Sequence, residues 1–173
     1  MVFDKMRKNV FKGRVLSLSL YTLSVNKRKI TREVIEHPGA AAILAIENGK
    51  VLLVRQYRFP HGYVLEIPAG TLEKDEKPLK CAHRELREET GYTAKKMVPL
   101  IKYYPSIGYN TEIIHCYLAS GSKKAGELQL DQDEIMSVVK MDLDKVIKMI
   151  LSGKITDSKT ICAVLAYNTK SKK

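Results

Sequence analysis

Three glutamates, Glu85, Glu88 and Glu89, stand three and four residues apart in the run R-E-L-R-E-E that begins at Arg84. On a helix such positions are neighbours, so Glu85/Glu88 and Glu85/Glu89 are like-charge pairs, each unfavourable by roughly 0.2–0.5 kcal/mol. A cation among them would offset that repulsion. Hard divalent ions such as Mg²⁺ choose carboxylate oxygen, keep part of their water and bind together with substrate phosphates. The spacing therefore points to metal-dependent chemistry on phosphates. An exposed helix in which Arg84 and Arg87 neutralise the acids would carry the same residues as a solvated face, so helix composition alone leaves both readings open.

The flanking residues predict the element that carries this cluster. Pro78 suits the first position of a helix, Gly91 suits its end, and Leu79, Ala82 and Leu86 form an apolar stripe. At about 100° per residue the carboxylate face lies at the border of that stripe, where a cleft can open beside a core. Upstream, residues 14–25 and 28–36 read as a hairpin around Asn26-Lys27, with Leu16, Leu18 and Leu20 on one face. Residues 39–46 and 51–59 flank the turn dipeptide Asn48-Gly49 and are apolar enough for central strands. A strand at 63–67 leads into the glutamate segment, and 97–104, 112–119 and 134–141 read as three more. Leu143, Val146, Ile147, Ile150 and Leu151 then fall at helical spacing after Asp142, a candidate N-cap, with Gly153 as the stop. A last helix starts near Asp157.

Gly70, Glu76, Arg84, Glu85, Leu86, Glu88, Glu89 and Gly91 together match the Nudix box, G-x5-E-x7-R-E-U-x-E-E-x-G-U, where U is apolar. The chain resembles a Nudix hydrolase, and the one departure is Tyr92 at the final apolar position. Further residues resemble the ADP-ribose pyrophosphatase branch: Arg55-Gln56-Tyr57-Arg58, the lead-in Glu66-Ile67-Pro68-Ala69-Gly70, the loop Pro105-Ser106-Ile107-Gly108 with Glu112 after it, and the ending from Gly153 to Thr160. The resemblance implies an α/β (α+β) fold, a mixed sheet sandwiched between helices and preceded by an antiparallel hairpin. Residues 1–37 would be a dimerisation arm and 38–173 the hydrolase domain.

The resemblance also implies roles. The glutamates matching Glu85 and Glu89 bind Mg²⁺, or Mn²⁺ in its place, helped by Glu88 and by the backbone carbonyl of Ala69. Gly70 would keep the turn that presents that carbonyl clear. Arg84 would orient the acidic cluster through an ion pair, with Glu76 as its partner. Water needs an orienting base, and Glu134 in the loop Asp131-Gln132-Asp133-Glu134 matches that position, with Asp131 and Asp133 as alternatives. Arg58 would contact substrate phosphate, with an ordinary ion pair as the competing reading, and Glu112 would face the terminal ribose hydroxyls. Members of this branch form homodimers in which an exchanged N-terminal segment reaches the partner's site, so Tyr21 and Arg28 are candidates at the adenine. The reaction implied is Mg²⁺-dependent hydrolysis of ADP-ribose, or of a related nucleoside diphosphate sugar, to AMP and ribose 5-phosphate.

Composition is compatible with this. A chain of 173 residues with 45% hydrophobic content has material for one sizeable core. No apolar run approaches the roughly 20 residues that span a bilayer, and the first nine residues lack the apolar centre of a signal peptide; a soluble, cytoplasmic protein is expected. Cys81, Cys116 and Cys162 form no C-x-x-C pair, so reduced core thiols are expected rather than a zinc site. The net charge of +11 favours polyanionic ligands without naming one. Lys5, Arg7, Lys8, Lys12 and Arg14, with the C-terminal lysines, read as solvated surface and frayed ends rather than as a nucleic-acid groove. The four histidines and the methionines read as structural or exposed. Two rival functions share the box: hydrolysis of dinucleoside polyphosphates or NADH, and a non-catalytic nucleotide- or RNA-binding module.

Overall fold

The computed structural model describes residues 5–129 and 136–171. The chain begins with three antiparallel strands, β1 (Lys5–Lys12), β2 (Ser17–Val25) and β3 (Arg28–Glu36), in the order β1-β2-β3. The predicted hairpin is present, and Asn26 and Lys27 take positive φ values of 50° and 63° at its turn. The basic stretch expected to be solvated surface and frayed ends is exposed from Met6 to Lys12, but it is the strand β1, paired with β2, and not a frayed end. A single carboxylate explains why so basic a strand is ordered. Glu36, on β3, accepts hydrogen bonds from Arg7 on β1 and from Ser17 and Tyr21 on β2.

On β2, Ser19 is fully buried and takes a hydrogen bond from Arg7 at 3.2 Å, whereas Leu18 and Leu20 are half-buried and Leu16 is exposed. Ser17 and Tyr21, on the face of Ser19, are half-buried as well.

The main sheet runs β10-β5-β4-β9-β8, where β4 is Ala40–Glu47, β5 Lys50–Arg58, β8 Tyr92–Tyr103, β9 Ile114–Lys124 and β10 Met136–Asp142. Only β4 and β9 run parallel. The β4–β5 hairpin turns at Asn48 and Gly49, and its two strands stay paired only from Ala45 to Glu47 and Lys50 to Leu52. Beyond that point they part. β6 (Gly62–Glu66) takes the freed edge of β5, and β7 (Ala69–Thr71), a strand the sequence did not announce, takes the freed edge of β4. The Ile43 N–H reaches the Pro68 carbonyl at 2.8 Å across the fork.

Helices cover both faces. α1 (Pro78–Thr90) packs Cys81, Ala82 and Leu86 on Ala41, Ile43, Ala45 and Leu52. Leu79, placed in the apolar stripe, is 43% exposed, and Cys81 fills the core in its stead. On the other face, α2 (Leu143–Leu151) and α3 (Ser158–Ser171) bring Val146, Ile150, Ala163 and Val164 against Ala42, Leu44 and Leu53. Asp142 stands before α2 without capping it through its side chain. Asp157 does cap α3, accepting from the Thr160 N–H at 2.9 Å. Gly91 ends α1 at φ 71°, and its N–H returns to the Arg87 carbonyl at 2.8 Å. All three cysteines are free, and burial lifts the Cys81 and Cys116 thiols to about 12. No described helix is long and apolar enough to cross a membrane.

The N-terminal sheet is joined to the rest by backbone. Ile35 of β3 donates to the Tyr109 carbonyl at 2.7 Å and accepts from the Thr111 N–H at 2.9 Å, in the loop between β8 and β9.

Glu36 gives this sheet a pH dependence. Hydrogen bonds from Arg7, then from Tyr21 and Ser17, lower its pKa from 4.5 to about 2 against the opposing effect of burial. A lowered folded value means that the contribution is complete above pH 4.5 and is lost as the pH falls towards 2. Glu36→Gln is expected to lower the thermal midpoint at pH 7, and its further drop between pH 7 and pH 3 is expected to be smaller than the wild type's. Circular dichroism melts at the two pH values check this; parallel curves would remove Glu36 as the cause.

Candidate active site

The fork in the main sheet sets the site. It carries the backbone at Ala69 and Gly70 under α1, and the helix turns Glu85 and Glu89 inward, where they are 8% and 3% exposed. Glu89 Oε2 accepts from the Ala69 N–H at 2.9 Å. Glu85 lies directly against Gly70: a Cβ there would fall 1.9 Å from Glu85 Oε1 and 2.0 Å from its carboxyl carbon. The glycine therefore makes room for a carboxylate, a different reason from the clear turn expected of it.

Arg84 organises the remaining acids. Its Nε and Nη2 donate to the two oxygens of Glu76 at 3.1 and 2.9 Å, the predicted pair. Nη1 donates to Glu85 Oε1 at 2.6 Å and to Glu88 Oε2 at 2.9 Å, and Nη2 also reaches the Thr71 carbonyl at 3.2 Å. Hydrogen bonding to Glu76 raises the guanidinium pKa against burial, with Glu85 and Glu88 adding to the effect. Glu76, whose side chain is 3% exposed, is held at about 2, chiefly by Arg84.

One guanidinium thus faces three carboxylates, with Glu89 beside them. The donor set is carboxylate oxygen throughout, which fits a hard divalent ion. Glu88, at 36% side-chain exposure, opens onto solvent. Among the described residues no three acidic, imidazole or thiol groups converge on one point. Glu85 and Glu88 are turned to Arg84, so gathering them on an ion requires at least one to rotate away from it.

These groups line one side of a cleft of about 790 Å³ whose other side carries cations. Arg58 of β5 forms a two-point pair with Glu66 of β6, Nε to Oε1 at 2.9 Å and Nη2 to Oε2 at 3.0 Å. The ion-pair reading of Arg58 is what the geometry contains, yet its side chain stays 44% exposed in the cleft wall. Lys159 of α3 bonds the same Glu66 and holds Asp157 Oδ1 at 2.8 Å. Glu66 is 2% exposed, and although burial alone would raise its pKa, Arg58 and Lys159 lower it. Glu112 sits at the cleft mouth, with Asn110 Nδ2 at 3.3 Å from Oε2. His37 Nδ1 approaches Glu112 Oε1 at 3.7 Å, but it accepts the Gly39 N–H at 3.0 Å. That nitrogen carries a lone pair, and the contact is no ion pair.

Arg28 is exposed at the β2–β3 turn and absent from the cleft lining, and the Tyr21 hydroxyl is engaged with Glu36. Glu134, Asp131 and Asp133 lie outside the described residues. Sequence reasoning missed Lys159, Asp157 and the shared carboxylate Glu66 as one network, and it missed Arg14, which lines the cleft from the β1–β2 connection. The lead-in and the ending that carry Glu66 and Lys159 had stood out only as branch markers.

A NUDIX domain model matches residues 36–163. The chain belongs to the Nudix hydrolase family. Nudix enzymes generally use divalent metal ions. This Nudix chain is 44% identical over 161 residues to the methanol dehydrogenase activator of Bacillus methanolicus, covering 91% of this chain and 87% of that one. It is 40% identical over 162 residues to the ADP-ribose pyrophosphatase of Bacillus subtilis (strain 168), covering 91% and 88%. Identity to the GDP-mannose pyrophosphatase of Yersinia enterocolitica is 35% over 169 residues, covering 91% and 88%. The crystal structure of an ADP compounds hydrolase shares the fold, with a TM-score of 0.84 at 20% identity over 99% of this chain and 94% of that one.

The Gly70–Glu85 contact yields a direct test. Gly70→Ala must push the carboxylate or the strand aside, at a cost of about 1–3 kcal/mol. Urea denaturation is expected to show that loss with an unchanged slope; full stability would mean that Glu85 is free to swing away.

Proposed function

We propose that this Nudix hydrolase cleaves the pyrophosphate bond of ADP-ribose, or of a closely related nucleoside diphosphate sugar, to AMP and ribose 5-phosphate. The observation that carries the reading is a single cleft lined both by the carboxylate cluster, with Glu85 and Glu89 buried, and by Arg58 and Lys159. Its volume of about 790 Å³ suits a ligand of that size. Relatives named for ADP-ribose and GDP-mannose hydrolysis, each covering 91% of the chain, support a nucleoside diphosphate sugar. The complete acidic cluster weighs against a binding module without turnover.

In this reading Glu85, Glu88, Glu89 and the Ala69 carbonyl hold Mg²⁺, with Mn²⁺ as a substitute. Bound there, the ion neutralises charge on phosphate oxygens and supplies a deprotonated water. Arg84 keeps one of Glu85 and Glu88 while the other turns to the ion, and the Ala69 N–H holds Glu89. Glu66 uses two N–H groups of Arg58 and leaves the rest of its planar fork for phosphate oxygens. Glu134 is assigned to orient the attacking water and take its proton. Glu112 accepts hydrogen bonds from the terminal ribose hydroxyls. The water oxygen bonds to one phosphorus as the bridging P–O bond breaks, and the second phosphate leaves with its sugar.

We further assign residues 1–37 to a dimerisation arm and place the protein in the cytoplasm as a homodimer. Val10 and Phe11 on β1, with Val15 and Leu16 after it, are 52%, 57%, 45% and 39% exposed, a face that a second copy would cover. Exchange of the arm would carry Arg28 towards the partner's cleft.

Three measurements test these assignments. AMP release from ADP-ribose, GDP-mannose, ATP, diadenosine polyphosphates and NADH, with and without Mg²⁺, is expected to give the highest kcat/KM for ADP-ribose. Glu89→Gln is expected to lower kcat by roughly 10²-fold or more while the protein stays folded. A clear win for ATP or a dinucleoside polyphosphate overturns the substrate, and near-normal Glu89→Gln turnover at saturating Mg²⁺ overturns the metal site. Light scattering at micromolar concentration is expected to show a dimer that Phe11→Glu converts to monomer; a monomeric wild type ends the arm assignment.

A further inference from the structure

A second hollow opens at the end of β4 away from the fork, on the α1 face of the sheet. Ala40 lines the cleft and Ala45 lines this hollow, so about 17 Å of strand separates the two. Its volume is about 330 Å³, less than half that of the cleft, and its floor is the buried pair Ala45 and Leu52. One wall is Tyr92, the single residue that departs from the apolar pattern of the box.

The polar groups around it are mostly cationic or donors. Lys140 of β10 places its ammonium 4.8 Å from the centre of the Tyr92 ring, and Lys50 lines the same hollow. Strand pairing sets Lys124 opposite Tyr92, where its ammonium is paired with Glu127 at 2.9 Å. Ser122 is the telling residue. Its N–H is taken by Glu47 Oε2 at 3.0 Å, while its hydroxyl oxygen is removed from solvent and has no hydrogen-bond partner among the described residues. A desolvated hydroxyl is unfavourable until a partner reaches it.

We propose that this hollow binds a compact phosphate monoester of a sugar. Its phosphate lies between Lys50, Lys140 and the Ser122 hydroxyl, which offer donors, and the two ammonium groups outweigh the one carboxylate beside them, Glu47 on the Ser122 N–H. Glu47 and Asn48, at the rim, accept hydrogen bonds from sugar hydroxyls, which a bare inorganic ion does not possess. The small volume selects one sugar phosphate over a nucleoside diphosphate sugar. The site shares no lining residue with the cleft, so its occupancy is readable without turnover and independently of the proposed hydrolysis.

Isothermal titration calorimetry on the metal-free, full-length protein tests this with glucose 6-phosphate, which is not a product of the proposed hydrolysis, and, separately, inorganic phosphate. Glucose 6-phosphate is expected to bind one per chain and more tightly than inorganic phosphate. Its affinity is expected to fall at least tenfold in the double variant Ser122→Ala/Lys140→Met, which removes an exposed ammonium and a hydroxyl without a partner among the described residues, and to be unchanged in Glu85→Gln. A thermal melt of each variant confirms folding. Absence of binding at millimolar concentration, equal affinity in the double variant, loss of binding in Glu85→Gln, or inorganic phosphate binding as tightly as the ester would each overturn the proposal.

Discussion

A guanidinium shared among three carboxylates holds the catalytic helix to the loop before it. Arg84 is anchored on Glu76 by two hydrogen bonds and turns its remaining edge to Glu85 and Glu88. Without that cation, α1 would place like charges side by side at the margin of a core, where water screens them poorly. With it, the helix can bury Cys81, Ala82 and Leu86 on the sheet and still present its acids to the cleft. Arg84 is 24% exposed at its side chain, so it belongs as much to the core margin as to the solvent. Stability and chemistry meet in one residue.

The sheet makes a comparable compromise. A regular β4–β5 hairpin would have continued to pair, leaving no place for the box loop. Parting after three residue pairs lets β6 and β7 enter, and the chain between them delivers Pro68, Ala69 and Gly70 into the gap. The Ala69 N–H is thereby free to fix Glu89, and Gly70 to admit Glu85. The same entry leaves Glu66 at the end of β6, where Arg58 reaches it from the neighbouring strand and Lys159 from the start of α3.

The box was readable because its chemistry is local: eight positions within 23 residues, on one loop and one helix, have fixed types. The helix ends were readable for the same reason, from Pro78 and Gly91. What escaped depends on distance along the chain. Lys159 and Glu66 are 93 positions apart, and no periodicity links them. β1 looked like a solvated basic run because Glu36, its counter-charge, lies 29 residues from Arg7. The leucine alternation of β2 was real, but it did not announce that Ser19, on the other face, would be the strand's one fully buried residue, because its partner Arg7 lies 12 positions away. A resemblance supplied the roles of Arg58 and Glu112, whereas the structure supplied their neighbours: Glu66 for one, Asn110 for the other.

The two backbone hydrogen bonds of Ile35 have a further consequence. They fasten the last strand of the N-terminal sheet to the loop that leads to Glu112, so this stretch of the cleft wall is tied by backbone to an accessory layer as well as to β8 and β9. Substitutions far out on that sheet can therefore shift this stretch while leaving every cleft side chain in place, and evolution could adjust the shape of the cleft by remodelling the accessory layer alone.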